Sequence, residues 1–392
     1  MKIVSAVLTC VFLASVCPLT SPAQEKQKFP EPLVPQVRPT TRGDRVPPGV
    51  TAFRDLAYVT DGHERQKLDL YVPEKTAGAL PLIIWIHGGG WAAGSKEGCP
   101  PLGAGYTQRG YAVASIDYRL SGDAIFPAQI EDCKAAVRWL RAHAQEYNLD
   151  PKHFAAWGSS AGGHLVALLG TSDHTKEFDV GEHLDQSSRV QAVCDYFGPT
   201  DLLQMDSHAL PDARLKHDAP NSPESQLIGG PIQERKVEAA RANPITYITK
   251  GAPPFLIVHG DKDLLVPHHQ SELLYEALKA AGVQVRFHTL EGAGHGDGFG
   301  GKELETLVSG FFDRHLKSEP AESDAPLASA TQGPAVAASA AIPWDVVRKR
   351  EDANADGSVT RAEFQGPPPL FNRLDRNRDG VLTKDDFEAA QR

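Results

Sequence analysis

The sequence predicts an α/β fold, a mostly parallel central sheet with helices on both faces, followed by a small separate module at its C-terminal end. Three observations predict it. Short apolar runs alternate with amphipathic stretches from about Val50 to Leu316. Many of these runs are apolar throughout, as in strands buried on both faces, and such strands need helical crossovers above and below the sheet. After Leu316 the chain changes to "SEPAESDAPLASATQGPAVAASAA", and beyond it two similar segments recur, the marks of a linker and a separate repeat-built module.

Taken in order, residues 1–23 combine Lys2, an apolar run from Ile3 to Val16 and a small-residue site at Ser21-Pro22-Ala23. That is the pattern of a cleaved signal peptide, and a secreted or periplasmic protein is expected. The run stops at Pro18, short of the roughly 20 apolar residues that span a bilayer. Residues 24–48 carry six prolines among polar residues and read as an extended tail. The domain at 49–317 then takes "QKLDLYVP", "LPLIIWIHG" and "YAVASIDYR" as strands and Phe126 to Tyr147 as a helix. "HFAAWGSS" follows as strand, "AGGHLVALLG" as helix, "VQAVCDYFG" and "PPFLIVHG" as strands, "HQSELLYEALKAAG" as helix and "QVRFHTLEG" as strand. Residues 201–249, mixed in polarity and rich in Pro, Asp and His, read as an insertion over the C-terminal edge of the sheet, where ligands bind in such folds. Residues 318–342 are the linker and 343–392 the module.

Composition narrows the function. A net charge of −10, without a basic run interleaved with aromatics, argues against a nucleic-acid partner. Of five cysteines, Cys10 and Cys17 fall in the signal segment, leaving Cys99, Cys133 and Cys194. Three cannot all pair: one disulfide is possible and none is required, and the main expectation is that they are small core residues. Neither an H-E-x-x-H nor a C-x-x-C pattern occurs, so catalytic zinc is not expected.

The chemistry is concentrated in "WGSSAGGH". Ser160, with Gly158 two residues before and Gly162 two after, holds the G-x-S-x-G frame, and Ser159 does not. Between a strand and a helix, that frame makes the sharp turn that presents a nucleophilic serine at a helix N-terminus. "HGGGW" follows another strand, and its Gly89 and Gly90 amides, with the Ala161 amide after the nucleophile, are the expected oxyanion hole. The base is expected at His295 in "GAGHG" and the orienting acid at Asp263 in "HGDKDLLVP". Asp261, beside Gly260, is expected to serve the turn. His87 and His259 close strands and are expected to bond loop backbone, His164 to be packed in its helix, and His268 and His269 to be solvated near a helix start.

Together "HGGGWAAGSK", "YAVASIDYRL", "FPAQIEDCKAAVRWLR", "WGSSAGGHL", "HGDKDLLVP" and "GAGHG" resemble the α/β-hydrolases grouped with bifunctional acetylxylan/feruloyl esterases, relatives of the hormone-sensitive-lipase-like carboxylesterases. The resemblance covers roughly residues 50–317. It implies a Ser160–His295–Asp263 triad, an oxyanion hole of Gly89, Gly90 and Ala161, and a serine esterase acting on acetyl or feruloyl esters of plant polysaccharides. Many lipase-like relatives carry Asp before the nucleophile, and Ser159 here leans toward the polysaccharide-esterase branch. The rival readings are a prolyl-oligopeptidase-type peptidase and a calcium-dependent binding protein with an inactive hydrolase domain.

In the module, "DANADGSVTRAE" and "DRNRDGVLTKDD" align as D-x-N-x-D-G-x-x-T-x-x-[E/D]. Calcium takes six to eight oxygens, and an EF-hand loop supplies them from alternate positions around a glycine turn. The expected ligands are Asp352, Asn354, Asp356, the Ser358 carbonyl and Glu363 in one loop. In the other they are Asp375, Asn377, Asp379, the Val381 carbonyl and Asp386, with Thr360 and Thr383 acting through water. Val359 and Leu382 should pair the two loops in a short β bridge. The pair resembles those of calmodulin-like and some secreted bacterial proteins, with Ca2+ as a structural ion.

Overall fold

The computed structural model describes residues 46–317, together with Arg348, Asp352, Asn354, 356–361, Glu363, Phe364 and 379–384. The signal segment, almost all of the proline-rich tail, the linker and the ligands Asp375, Asn377 and Asp386 lie outside the described residues.

Eight strands form one sheet: β1 (Val50–Ala57), β2 (Lys67–Pro73), β3 (Leu80–Ile86), β4 (Ala112–Ile116), β5 (Leu149–Ser159), β6 (Ala192–Tyr196), β7 (Phe255–Gly260) and β8 (Val285–Leu290). Their order is β1-β2-β4-β3-β5-β6-β7-β8. Only β2 runs against its neighbours, and every other pairing from β4 to β8 is parallel. The completely buried strands β4, β6 and β7 and the nearly buried β3 are the apolar runs of the sequence. β1 is not among the expected strands: it is a partly exposed edge strand, its register shifts between Phe53 and Leu56, and Asp55 has φ +54°. Such a bulge breaks the two-residue alternation by which strands are recognised.

The helices are α1 (Pro100–Gly103), α2 (Ala128–Ala142), α3 (Ala161–Thr171), α4 (Pro223–Ile228), α5 (Lys236–Ala242), α6 (His269–Ala280) and α7 (Lys302–Leu316). One apolar layer packs α2, α3 and α6 on the sheet through residues such as Ile84, Ile130, Leu165, Ile257 and Leu274. The other packs α1 and α7 through Ile83, Leu102, Tyr106, Trp157, Val308 and Phe312. The helix expected from Phe126 to Tyr147 is α2, shorter at both ends, with its C-cap at His143. Cys99, Cys133 and Cys194 are buried, and no disulfide joins them to one another. No helix among the described residues is long and apolar enough to cross a membrane.

The 201–249 segment folds into α4, α5 and short 3-10 turns. Leu202, Met205, Leu227, Ile228, Ile232 and Ala242 are buried in it, so beneath its polar surface it has an apolar underside. It is tied to the loop after β7, where the Arg214 amide donates to the Leu264 carbonyl at 3.0 Å.

Asp195 on β6 is fully buried against Gly163 of α3, where an added Cβ would fall 2.3 Å from its Oδ1. Oδ1 accepts the Gly198 N–H at 2.9 Å, and Oδ2 has no hydrogen-bond partner among the described residues. Burial therefore raises the carboxyl to about 7, against roughly 3.9 in an unfolded chain. A raised acid contributes stability that is complete below the unfolded value and is lost as pH rises through the folded one. Asp195→Asn keeps an acceptor for Gly198 and cannot ionise, so its melting temperature relative to wild type should climb between about pH 4 and pH 7. Thermal melts across that range check this, and a difference independent of pH would show that the buried carboxyl does not titrate there.

Candidate active site

Ser160 is the single residue between β5 and α3, at φ +55° and ψ −124°. A non-glycine residue is strained there. The strain is held by backbone on both sides: the Ser160 amide donates to the Tyr196 carbonyl at 2.9 Å, and the His164 amide donates to the Ser160 carbonyl at 3.1 Å. The flanking glycines are required by contact. A Cβ on Gly158 would lie 2.4 Å from the Gly162 carbonyl oxygen, and one on Gly162 only 2.1 Å from that of Ile86. Strand β5, helix α3 and the end of β3 are thus in backbone contact.

That contact brings the "HGGGW" loop to the serine. A Cβ on Gly88 would meet the Ser160 Cβ at 3.1 Å. Gly89 and Gly90 have φ +112° and +59°, and the Gly89 carbonyl accepts the amides of Ala92 and Ala93 in a tight turn. The amides of Gly89, Gly90 and Ala161 donate to no group among the described residues. Around the loop, the Tyr118 hydroxyl donates to the His87 carbonyl at 3.0 Å, and the His87 ring stacks on Tyr118 with Nδ1 2.7 Å from the Gly88 carbonyl.

The structure brings Asp263 and His295 together, with Oδ2 2.7 Å from Nδ1. Oδ1 accepts the amides of Leu265 and Val266 at 2.8 and 2.9 Å. Burial opposes ionisation of Asp263, but hydrogen bonds from His259 and His295 outweigh it and hold the carboxyl well below the usual carboxylate range. His259 was expected only to bond loop backbone, yet it also braces the acid. Its Nε2 lies 3.0 Å from the Val266 carbonyl and 3.3 Å from Asp263 Oδ2, while Nδ1 pairs with the Ser271 hydroxyl at 2.7 Å. Both carbonyl and carboxylate accept, so Nε2 carries the proton. Asp261 instead accepts the Gly292 amide at 2.6 Å in the turn. Phe197 packs edge-on against His295, ring centres 4.5 Å apart. No hydrogen bond joins Ser160 to His295 in this structure. Such bonds often tighten only when substrate is bound.

Beneath the His295 loop is a cavity of about 460 Å³ lined by Trp157, Ser159, Tyr196, Phe197, Gly296 and Phe299, among others. The small Ser159 side chain leaves this space open. His268 is not simply solvated, since its Nε2 reaches the Thr289 hydroxyl at 3.0 Å, and His269 stacks on His208.

In the C-terminal segment, β9 (Val359–Thr360) and β10 (Val381–Leu382) pair antiparallel with Val359 opposite Leu382. Gly357 and Gly380 turn at φ +87° and +86°. Asp352 accepts the amides of Asp356 and Gly357, closing the first loop. Glu363 Oε2 accepts both the amide and the hydroxyl of Thr360, at 2.9 and 2.7 Å. Among the described residues, no three carboxylate, imidazole or thiol groups are gathered as a metal cluster.

The family model described as BD-FAE matches residues 68–278, and that described as EF hand matches residues 369–389. Esterase LipC of Mycobacterium tuberculosis is 31% identical over 269 residues, 64% of either chain. The chain spans about half to two-thirds of the length of the curated relatives it matches. Among solved structures, a truncated carbohydrate esterase from gut microbiota is 34% identical with a TM-score of 0.61, over 68% of this chain and 96% of that one. A bifunctional GH43-CE protein of Bacteroides eggerthii is 36% identical with a TM-score of 0.63, over 68% of this chain and 35% of that one. With more than half its length inside the family match, the chain belongs to the BD-FAE esterases of the α/β-hydrolase fold and carries an EF-hand segment at its C-terminal end.

Proposed function

We propose that the chain is an exported serine carboxylesterase that hydrolyses short acyl and aromatic esters, acetyl and feruloyl groups on plant polysaccharides, through Ser160, His295 and Asp263. The observation that carries the chemistry is the buried, doubly braced Asp263 carboxylate bonded to His295 Nδ1. With its proton held on Nδ1, the imidazole presents the Nε2 lone pair as a base. Ser160 Oγ loses its proton to Nε2 and attacks the ester carbonyl carbon, and the oxyanion is held by the amides of Gly89, Gly90 and Ala161. His295 returns the proton to the leaving alcohol, and water, activated by the same base, releases the acid from the acyl-enzyme.

The carbohydrate side of the reading is supported by similarity to the gut-microbiota carbohydrate esterase and to an acetyl ester-xyloside bifunctional hydrolase from Caldicellulosiruptor lactoaceticus, 25% identical with a TM-score of 0.53 over 63% of this chain and 87% of that one. Export is supported by the first 23 residues. The EF-hand reading adds Ca2+. The oxygens of Asp352, Asn354, Asp356, Ser358 and Glu363, and those of Asp375, Asn377, Asp379, Val381 and Asp386, are the hard donor set this cation takes. The glycine turns and the Val359–Leu382 bridge fit a paired-loop arrangement. Bound calcium would supply structural cross-linking within the module. Ester chemistry stays with residues that precede Leu316.

Ser160→Ala should lower turnover of p-nitrophenyl acetate by at least about 1,000-fold, while Ser159→Ala stays within about tenfold of wild type. The reverse pattern would move the nucleophile. Asp263→Asn should cost about 100- to 10,000-fold and Asp261→Asn only a few-fold, read from kcat/KM. A panel of acetylated xylan, methyl ferulate, long-chain acyl esters and prolyl anilides should show the first two as the better substrates. A preference for the anilides would instead favour a peptidase. Titration calorimetry of the full chain with calcium should show two unlike sites, the second weaker because Asp386 is one methylene shorter than Glu363. Chelation should leave ester hydrolysis unchanged, and loss of activity on chelation would place the module in the catalytic unit.

A further inference from the structure

One fully buried ionisable side chain in the nucleophile helix has no part in the proton path. His164, in the first turn of α3, makes two polar contacts: Nδ1 lies 3.2 Å from the Trp91 indole Nε1, and Nε2 lies 2.6 Å from the Ala242 carbonyl. An indole N–H can only donate and a carbonyl can only accept. The ring is therefore the neutral tautomer with its proton on Nε2, and no other protonation state satisfies both partners. Burial, which outweighs the bond to Ala242, pushes its pKa down to about 4.

The two ends of this chain of contacts matter. Trp91 closes the "HGGGW" loop, is almost completely buried, and sits at φ +55°, a conformation that is strained for a large side chain. Its carbonyl accepts the Ser121 amide at 2.8 Å. The Trp91 backbone is thus kept in its strained form by its surroundings, and the indole bond to His164 anchors the side-chain end. His164 is three residues beyond Ala161 on the same helix. The oxyanion donors come from two separate pieces of backbone, Gly89 and Gly90 on the loop and Ala161 on α3, and the Trp91–His164 bond is a side-chain connection between those two pieces. The far partner, Ala242, is the last residue of α5, so the insertion is joined to the same post.

We propose that His164 is a positioning residue that sets the spacing between the two halves of the oxyanion hole through Trp91, with Ala242 of the insertion fixing its tautomer. The inference rests on the esterase reading above. It assigns His164 no contact with substrate. Its effect falls on the charge that develops in the transition state and not on the bound ester, because only the tetrahedral state needs all the amides aligned on one oxygen.

The test uses the full chain and four proteins besides wild type: His164→Leu, His164→Gln, Trp91→Phe and the Leu/Phe double variant. Glutamine offers one acceptor and one donor, as the neutral imidazole does. Each is checked for folding by thermal melt, then measured with p-nitrophenyl acetate and with phenylboronic acid. The boronic acid accepts Ser160 Oγ at boron, the serine proton passes to His295, and the resulting tetrahedral anion occupies the oxyanion hole. His164→Leu and Trp91→Phe should each lower kcat about 10- to 100-fold and raise the boronate Ki by a similar factor, with KM within about threefold. The double variant should be no worse than the poorer single variant by more than about threefold, since both remove one bond. His164→Gln should recover kcat and Ki to within about fivefold of wild type.

Folded Leu or Phe variants with unchanged kcat and Ki would overturn the inference. So would losses that multiply in the double variant, or a glutamine variant as poor as leucine. If His164→Leu does not fold, the Trp91→Phe and His164→Gln pair decides alone: an unchanged Ki in the first, or a Ki raised beyond about tenfold in the second, is equally fatal. Wild type that hydrolyses no ester would overturn the functional reading itself, and the positioning role with it.

Discussion

The structure depends on one close approach, where strand β5 turns into α3 against the end of β3. Gly158 and Gly162 touch, and Gly162 lies on the carbonyl of Ile86. No side chain fits between these backbones. The constraint does three things together: it forces Ser160 into its strained conformation, starts a helix directly behind it, and brings the loop after β3 alongside. Strain of this kind is retained only where the surroundings over-determine it. Here they do, through the Tyr196 carbonyl, the first turn of α3 and two parallel neighbours of β5 in the sheet.

The acid and the base are held by different means. Asp263 is inside the protein, and four donors surround it: the amides of Leu265 and Val266 on one oxygen, His259 and His295 on the other. An ionised carboxylate can be buried only with such compensation. His295 itself rides on a glycine-rich loop, partly exposed, with an aromatic edge contact to Phe197.

Much of this was legible because glycine and strand ends punctuate the chain. The frame around Ser160, the loop after β3, and the exits of β7 and β8 all combine an apolar run with the residues that let backbone turn or approach closely. What could not be read was long-range pairing. Nothing local marks His259 as a brace for Asp263, since its position depends on how the loop after β7 folds back. The bond from Trp91 to His164 spans 73 residues and that from His164 to Ala242 spans 78, so neither follows from periodicity. β1 was obscured by a bulge, and the apolar underside of the insertion by its polar composition. The EF-hand loops were read from spacing alone, because a calcium cage made from one short segment is a local pattern. The bridge between them is a pairing of two such segments, and the structure places Val359 opposite Leu382.

The cavity under the His295 loop has a consequence for how such a protein can change over generations. Around Ser160 a Cβ on Gly88, Gly158 or Gly162 collides with backbone, so those positions admit no larger residue. Beneath the loop that carries His295, by contrast, the side chains of Ser159, Phe197 and Phe299 border the cavity and are not pressed against backbone on that side. Tolerance to substitution is therefore unequally divided: the glycines that frame the nucleophile are fixed by contact, while side chains beneath the loop of the base border open volume.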